Sequence, residues 1–142
     1  MVKRPPFLRL AHFGWFLAAF MLSLVDGTDA SGHDWLLGEW KGQYRRCTEV
    51  GAVTMTFRDE AGNVKWTWAA ESREFTTAAE GVVTKADASS LELAGKYTAH
   101  QVTVLIGTAM RISLRGSAST LSGTGITERV NRPFGVELTK VK

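Results

Sequence analysis

The stretch Trp35-Leu-Leu-Gly-Glu-Trp-Lys-Gly-Gln-Tyr-Arg45 decides the fold of this chain. Trp40, Gly42 and Tyr44 fall on one face of an extended chain, and the charged or polar residues between them fall on the other. A period of two with one aromatic face is typical of a half-buried β-strand. The first three residues fit either a single helical turn or a plug that closes one end of a barrel, and Gly38 ends them.

The same alternation recurs along the rest of the chain. Short apolar-patterned segments are joined by turns rich in Gly, Asn, Asp and Ser, and no helical period longer than one turn follows residue 30. This pattern favours an antiparallel, up-and-down sandwich or barrel. We predict an all-β, antiparallel up-and-down β-barrel of about eight strands. The strand candidates are residues 39–45, 53–57, 64–70, 80–86, 91–97, 102–106, 110–115, 121–126 and 134–138.

Three details of the connections are also predicted. Residues 71–79 are polar and threonine-rich, and they fit either an irregular connection or an outward-facing strand. In the turn after Asp59, Gly62 and Asn63 are expected to supply the positive φ angles of a tight hairpin. The lone Cys47 has no intramolecular partner, so it is either a small buried hydrophobe, which we favour, or free for intermolecular pairing.

Residues 1–30 are typical of a secretory signal peptide. Basic residues come first, and an uncharged apolar run over residues 13–25 follows. That run is short for a bilayer span, although an uncleaved anchor is the alternative. Small residues place cleavage after Ala30, with Gly27 as the fallback. We predict a signal peptide helix at 1–30, one barrel domain at 31–142, and an exported protein in the periplasm or outside the cell.

Charge argues against a nucleic-acid partner. The 142 residues carry a net charge of +3, and removing residues 1–30 takes away three basic and two acidic residues, which leaves +2. The remaining Lys and Arg residues are scattered among acids, without a stripe that could follow a phosphate backbone. We expect membrane contact only through the signal peptide before cleavage.

Catalytic chemistry has little support in the sequence. His33 and His100 are not at metal-ligand spacing and no cysteine joins them, so no metal site is predicted. No Gly-x-Ser-x-Gly elbow occurs, and no glycine-rich loop precedes a helix. We predict no catalytic residues, no cofactor and no enzyme activity. An enzyme using His100 with a nearby carboxylate is a third hypothesis that rests only on residue availability.

The Gly38-Glu-Trp40 segment resembles the Gly-x-Trp signature of lipocalins and the wider calycin group. In that family the Trp plugs the closed end of an eight-stranded barrel, and a late Arg packs over it. The resemblance implies this role for Trp40, with Arg129 or Arg132 as the arginine. The family's Thr-Asp-Tyr motif is absent from this chain.

Inward-facing aromatic residues suggest where a ligand would bind. They either fill the core, as large rings usually do, or line an apolar pocket with a few polar groups. Tyr44 and Tyr97 would supply hydroxyl groups to such a pocket, and alternation adds Arg46 to the same face. The predicted ligand-binding residues are Trp40, Tyr44, Trp66, Trp68 and Tyr97.

Two functions follow. The first is an exported calycin-like barrel that binds a small apolar or aromatic ligand. The alternative is a solid barrel that binds another envelope protein as an inhibitor or interaction module. For that alternative, the surfaces to test are residues 71–79 and the outward face formed by Arg111, Ser113 and Arg115.

Overall fold

The protein is a closed barrel in which each of eight strands pairs antiparallel with the next, and the last pairs with the first. This confirms the predicted all-β, up-and-down architecture. The computed structural model describes residues 31–142, apart from the side chains of residues 31, 32 and 131. The predicted signal peptide, residues 1–30, lies outside the described residues. The strands are β1 Gly38–Arg46, β2 Glu49–Glu60, β3 Asn63–Glu71, β4 Thr76–Ala86, β5 Ser90–Ala99, β6 Ala109–Gly116, β7 Thr120–Thr127 and β8 Val130–Lys140.

The core occupies the barrel interior and is built from alternate residues of the strands. Side chains two residues apart point the same way in a strand, so one apolar face per strand fills the interior while the other meets solvent. Alternation assigns inward positions on each strand, and on four strands the residues at those positions are buried. They are Val53, Met55 and Phe57 on β2, Leu91, Leu93 and Tyr97 on β5, Met110, Ile112 and Leu114 on β6, and Phe134, Val136 and Leu138 on β8.

One end of the barrel is closed by a 3-10 helix at Ser31–Leu36. Leu36 is fully buried, and its carbonyl oxygen accepts a hydrogen bond from Trp40 Nε1 at 2.8 Å. Trp35 packs edge-on against Trp40, with the ring centroids 6.4 Å apart. The segment before β1 is therefore both a helical turn and a plug. Within residues 31–142, no helix is long and apolar enough to cross a membrane.

The cation over Trp40 is Lys140, and the expectation that Arg129 or Arg132 would fill this role is wrong. Lys140 Nζ lies 5.3 Å from the Trp40 ring centroid. Strand β8 runs from Val130 toward the closed end, so both arginines lie at the opposite end of the barrel. There Arg132 Nη1 donates to Cys47 Sγ at 3.4 Å.

Two aromatic rings fill interior space that glycines leave open. The indole of Trp66 lies under Gly95, where an added Cβ would stand 2.5 Å from Trp66 Cζ2. Phe134 lies under Gly125 in the same way, at 2.3 Å from the corresponding position. Such distances are far inside van der Waals contact, so the two glycines and the two rings form matched pairs.

Residues 102–106 form no strand, contrary to the prediction. β5 pairs directly with β6, which leaves this segment without a partner strand. It folds instead into a loop with a 3-10 turn at Thr103–Leu105. Val104 is 68% exposed, and Val102 and Ile106 are also exposed.

Residues 71–79 contain both of the structures that the sequence allowed, an irregular connection and part of a strand. A turn over residues 72–75 connects β3 to β4, and β4 then begins at Thr76, four residues earlier than predicted. The turn is held by a backbone hydrogen bond from Ser72 N to Phe75 O at 2.7 Å.

Two tight turns differ from their predictions. In the β2–β3 hairpin, Ala61 and Gly62 have positive φ angles of 55° and 87°, whereas Asn63 already belongs to the strand. Cys47 lies exposed in the two-residue β1–β2 turn with φ of 53°, so its predicted burial is wrong. A two-residue hairpin turn lies beyond the ends of both strands, so its side chains lie outside the barrel.

Candidate functional site: a cavity at the open end of the barrel

A cavity of about 100 Å³ lies at the end of the barrel opposite the N-terminal 3-10 helix. The last inward residues of the strands and two connections, residues 72–75 and 100–108, surround it. Five aromatic side chains dominate its wall, together with a few polar groups. The lining residues are Tyr44, Arg46, Glu49, Trp68, Phe75, Thr77, Tyr97, His100, Val102, Leu105 and Phe134.

Trp68 forms the centre of the aromatic wall. Its ring centroid lies 6.0 Å from that of Tyr44 and 5.6 Å from that of Phe134, within the usual range for interacting rings. Its Nε1 donates to Thr77 Oγ1 at 3.2 Å. Packing against the two rings and this bond fix the orientation of the indole.

Tyr97, on β5, also lines the cavity. Its hydroxyl shares a buried 3.2 Å hydrogen bond with Thr127 Oγ1, and either atom can be the donor. Its ring meets His100 edge-on, with 5.0 Å between centroids. Both contacts hold the ring while its face remains part of the cavity wall.

Arg46 places a positive charge in the cavity. It is the last residue of β1 and follows Trp40 and Tyr44 on the inward face. Its guanidinium carbon lies 5.6 Å from the Phe134 ring centroid, a cation–π distance. Its Nε is buried and has no hydrogen-bond partner among residues 31–142. A buried donor without an acceptor is costly, which distinguishes Arg46 from the other polar residues of the cavity.

Glu49 brings an acidic group to the same cavity, but one oxygen is already engaged. Ser72 Oγ donates to Glu49 Oε2 at 2.7 Å and accepts from Phe75 N at 3.1 Å. Burial raises the pKa of the Tyr44 phenol above its usual value, and the neighbouring Ser72 hydroxyl partly opposes this shift. Tyr44 is therefore a neutral hydroxyl group at physiological pH.

His100 contributes an imidazole to the cavity wall. Burial lowers the pKa of its imidazole below the usual 6.5, and the positive charge of Arg46 lowers it further, while Glu49 acts in the other direction. Val102 N donates to His100 Nδ1 at 2.9 Å. Because Nδ1 is an acceptor, the proton of the neutral ring resides on Nε2, which is free to donate.

The structure brings together three of the five predicted site residues. Tyr44, Trp68 and Tyr97 line the cavity, and so does Arg46. Trp40 and Trp66 do not: both are fully buried, the first against the N-terminal plug and the second under Gly95. Trp66 Nε1 donates to Val82 O at 3.0 Å, which anchors the ring to β4.

Several lining residues are not among the predicted site residues. Some of them lie where strand alternation could identify them, and others do not. Alternation over residues 134–138 puts Phe134 on the inward face of β8, and its position near the start of that strand is the available signal. Phe75, Val102 and Leu105 lie outside the strands, so no strand period could assign them to the cavity. Glu49 lies at the start of β2, just after the turn at Cys47, and its sequence neighbours carry no sign of its location.

Within residues 31–142, no group of three or more His, Cys, Asp or Glu side chains is arranged to hold a metal ion. No protein-family model matches the chain, and neither a curated protein nor a solved structure matches it. The proposed function therefore rests on the geometry of the barrel and its cavity.

Proposed function

We propose that this chain is an exported, calycin-like barrel that binds a small aromatic ligand in the cavity at its open end. The observation that supports this most directly is the aromatic wall around Trp68, with neutral hydroxyl and imidazole groups and a cation on its rim. An apolar pocket with a few convergent polar groups is the usual composition of a small-molecule site.

The cavity volume limits the size of the ligand. Pockets for drug-sized molecules measure roughly 300–1,000 Å³, whereas this one measures about 100 Å³. An engineered apolar cavity of roughly 150 Å³ holds benzene. This cavity is smaller still, so the proposed ligand places at most one ring in it, with any further part of the molecule extending out of the mouth beside the 100–108 loop.

Calycin membership is part of the proposal, and the closed end supports it. The Gly38-Glu-Trp40 segment opens β1, Trp40 packs on the N-terminal plug, and a late cation covers the ring. The cation is Lys140 in place of the family's arginine. Export is proposed from the signal-peptide pattern of residues 1–30.

The proposed role is binding without catalysis. A catalytic histidine is usually oriented by a carboxylate, as in hydrolase triads. His100 Nδ1 instead accepts a backbone N–H, and Glu49 bonds to Ser72. These contacts hold His100 and Glu49 in fixed positions in the cavity wall, which favours a role in binding.

Native mass spectrometry of protein purified gently from its own cells tests the proposal. A bound molecule that is released on denaturation is the expected result, and Trp68→Leu should lose it. Trp35→Leu is the matched control, because Trp35 lies at the closed end. Protein that carries no added mass and whose tryptophan fluorescence is unchanged by any one-ring compound would overturn the proposal.

The exposed apolar residues of the 100–108 loop favour a second candidate function, binding to an envelope protein. Val102, Val104 and Ile106 project from the barrel next to the cavity mouth. Replacing Val104 and Ile106, which lie outside the cavity lining, with serine should then abolish capture of a partner in a pull-down from the native envelope while ligand binding persists.

A further inference from the structure

We propose that the cavity selects an aromatic carboxylate, whose ring packs on Trp68 and whose anionic group is held by Arg46 and His100. This inference rests on the proposed function, and it adds the charge and chemical class of the ligand.

The first argument is the unused hydrogen-bonding capacity of Arg46. Its Nε is buried without an acceptor, and across residues 31–142 no carboxylate lies within 4 Å of its guanidinium group. The planar guanidinium carries five donors and matches a carboxylate in a two-pronged geometry. A ligand carboxylate in the cavity would pair with the terminal guanidinium nitrogens, for which residues 31–142 supply no carboxylate partner.

The second argument is the distribution of charge across the cavity. Glu49 would repel an anion, but its Oε2 already accepts from Ser72 Oγ at 2.7 Å, which holds this carboxylate at the 72–75 turn. Arg46 instead lies over Phe134, and within residues 31–142 no carboxylate pairs with it. The favourable location for an anion is therefore beside Arg46, on the cavity wall that His100 shares.

The third argument is the donor that His100 contributes at that location. Since Nδ1 is occupied by Val102 N, Nε2–H is the free donor of the neutral ring. Tyr97 and Phe75 pack against the imidazole, with centroids 5.0 Å and 6.1 Å away. The donor is thus held by two rings, and a carboxylate beside Arg46 would accept from it without a change of protonation.

Shape selects the aromatic part of the ligand. Trp68 and Phe134 stand 5.6 Å apart at an interplanar angle of 64°. A third ring can pack edge-on or offset against such a pair. The Arg46 guanidinium already lies over Phe134, so an aromatic ring on Trp68 brings its substituent next to the cation.

Calorimetric titration with benzoate and with benzyl alcohol at pH 7.5 tests the inference. These probes share the ring and differ in charge. We expect the wild-type protein to bind benzoate more tightly by about tenfold or more, because hydrogen bonds to charged groups contribute at least that factor. Arg46→Gln should remove the preference by weakening benzoate binding far more than benzyl alcohol binding. Arg45→Gln, an outward-facing neighbour on the same strand, should keep the preference.

The outcomes separate this inference from the proposed function. Equal binding of the two probes, or a benzoate preference that persists in Arg46→Gln, would overturn the inference and leave the ligand-binding function standing. Binding of neither probe would overturn both. If Arg46→Gln unfolds in a thermal melt, Arg46→Lys replaces it. That variant keeps the charge but loses the planar fork, so benzoate affinity should fall to an intermediate value.

Discussion

Lys140 Nζ lies over the ring of Trp40 and donates to two carbonyl oxygens of the N-terminal plug, Trp35 O at 2.5 Å and Leu37 O at 2.6 Å. The end of the last strand is thereby joined to the segment before the first strand. A cation at the C-terminal carbonyls of a helix also interacts favourably with their partial negative charge. One side chain therefore holds the plug, the tryptophan and the β1–β8 seam together.

Replacing Lys140 with methionine should lower the free energy of unfolding by about 1.5–3 kcal/mol, the range for hydrogen bonds to charged groups. The methionine keeps the apolar stem and removes the three contacts of the ammonium group. Urea unfolding measures the difference. Lys142→Met is the matched control, because Lys142 is exposed beyond the end of β8. Equal losses in the two variants would contradict this role for Lys140.

Gly95→Ala should destabilise the barrel by about 1–3 kcal/mol through overpacking. The new Cβ would stand 2.5 Å from Trp66 Cζ2 and 2.2 Å from Glu80 O, so the indole and the β4 backbone must both move. Thermal and urea unfolding measure the cost. Gly135→Ala is the control, since a Cβ there meets only Gly123 O, at 4.0 Å, and should change stability by less than about 1 kcal/mol. Tolerance of both alanines would refute the close packing of Trp66 under Gly95.

Strand periodicity predicts the fold well because the barrel interior is apolar and the exterior is polar on nearly every strand. The period assigns each residue to a face, and the inward set on β6, Met110, Ile112 and Leu114, is correct throughout. It fails for residues 102–106, whose alternating valines and isoleucine imitate a strand. A strand also needs a hydrogen-bonding partner, and the direct pairing of β5 with β6 leaves none.

The candidate site is less predictable because a face does not specify depth along the barrel. Trp66 and Trp68 share the inward face of β3, yet only Trp68 reaches the cavity. Depth is set by the register between strands, which pairs Trp66 with Gly81 and Trp68 with Ala79. Register depends on pairings between distant residues and leaves no period in a single strand. Loop residues such as Phe75 are harder still, because their position follows from the turn that carries them.

The Tyr97–Thr127 hydrogen bond should show strong coupling in a double-mutant cycle. Each hydroxyl is buried, so Tyr97→Phe or Thr127→Val alone leaves the other hydroxyl without its partner. Either change should lower the free energy of unfolding by about 1–3 kcal/mol. The double variant removes both groups and should cost less than the sum of the single losses, by about 0.5–3 kcal/mol. Unfolding free energies of the four proteins give the coupling. Strictly additive losses would show that the two hydroxyls do not depend on each other.

Stability should decline on mild acidification because of His100. Burial, followed by the charge of Arg46, lowers the pKa of the folded imidazole below the 6.5 of the unfolded chain. The unfolded state then binds the proton more readily, so this contribution is complete above pH 6.5 and is lost as the pH falls through the lower folded pKa. The charged and titratable groups facing His100 are Arg46 from β1, Glu49 from β2 and Tyr97 from β5.

His100→Asn isolates this contribution, because an asparagine oxygen can still accept from Val102 N but does not titrate near neutrality. Urea unfolding between pH 7.5 and 5 should show a smaller loss of stability for this variant than for the wild-type protein. His33→Asn, in the N-terminal 3-10 helix, is the control and should follow the wild-type curve. Protonation of His100 places a second positive charge beside Arg46 and removes the acceptor of Val102 N, so the amide protection factors of the 100–108 loop, which correct for the intrinsic pH dependence of exchange, should also be lower at pH 5. An identical pH dependence in wild type and His100→Asn would mean that the imidazole binds its proton equally well in the folded and unfolded chain.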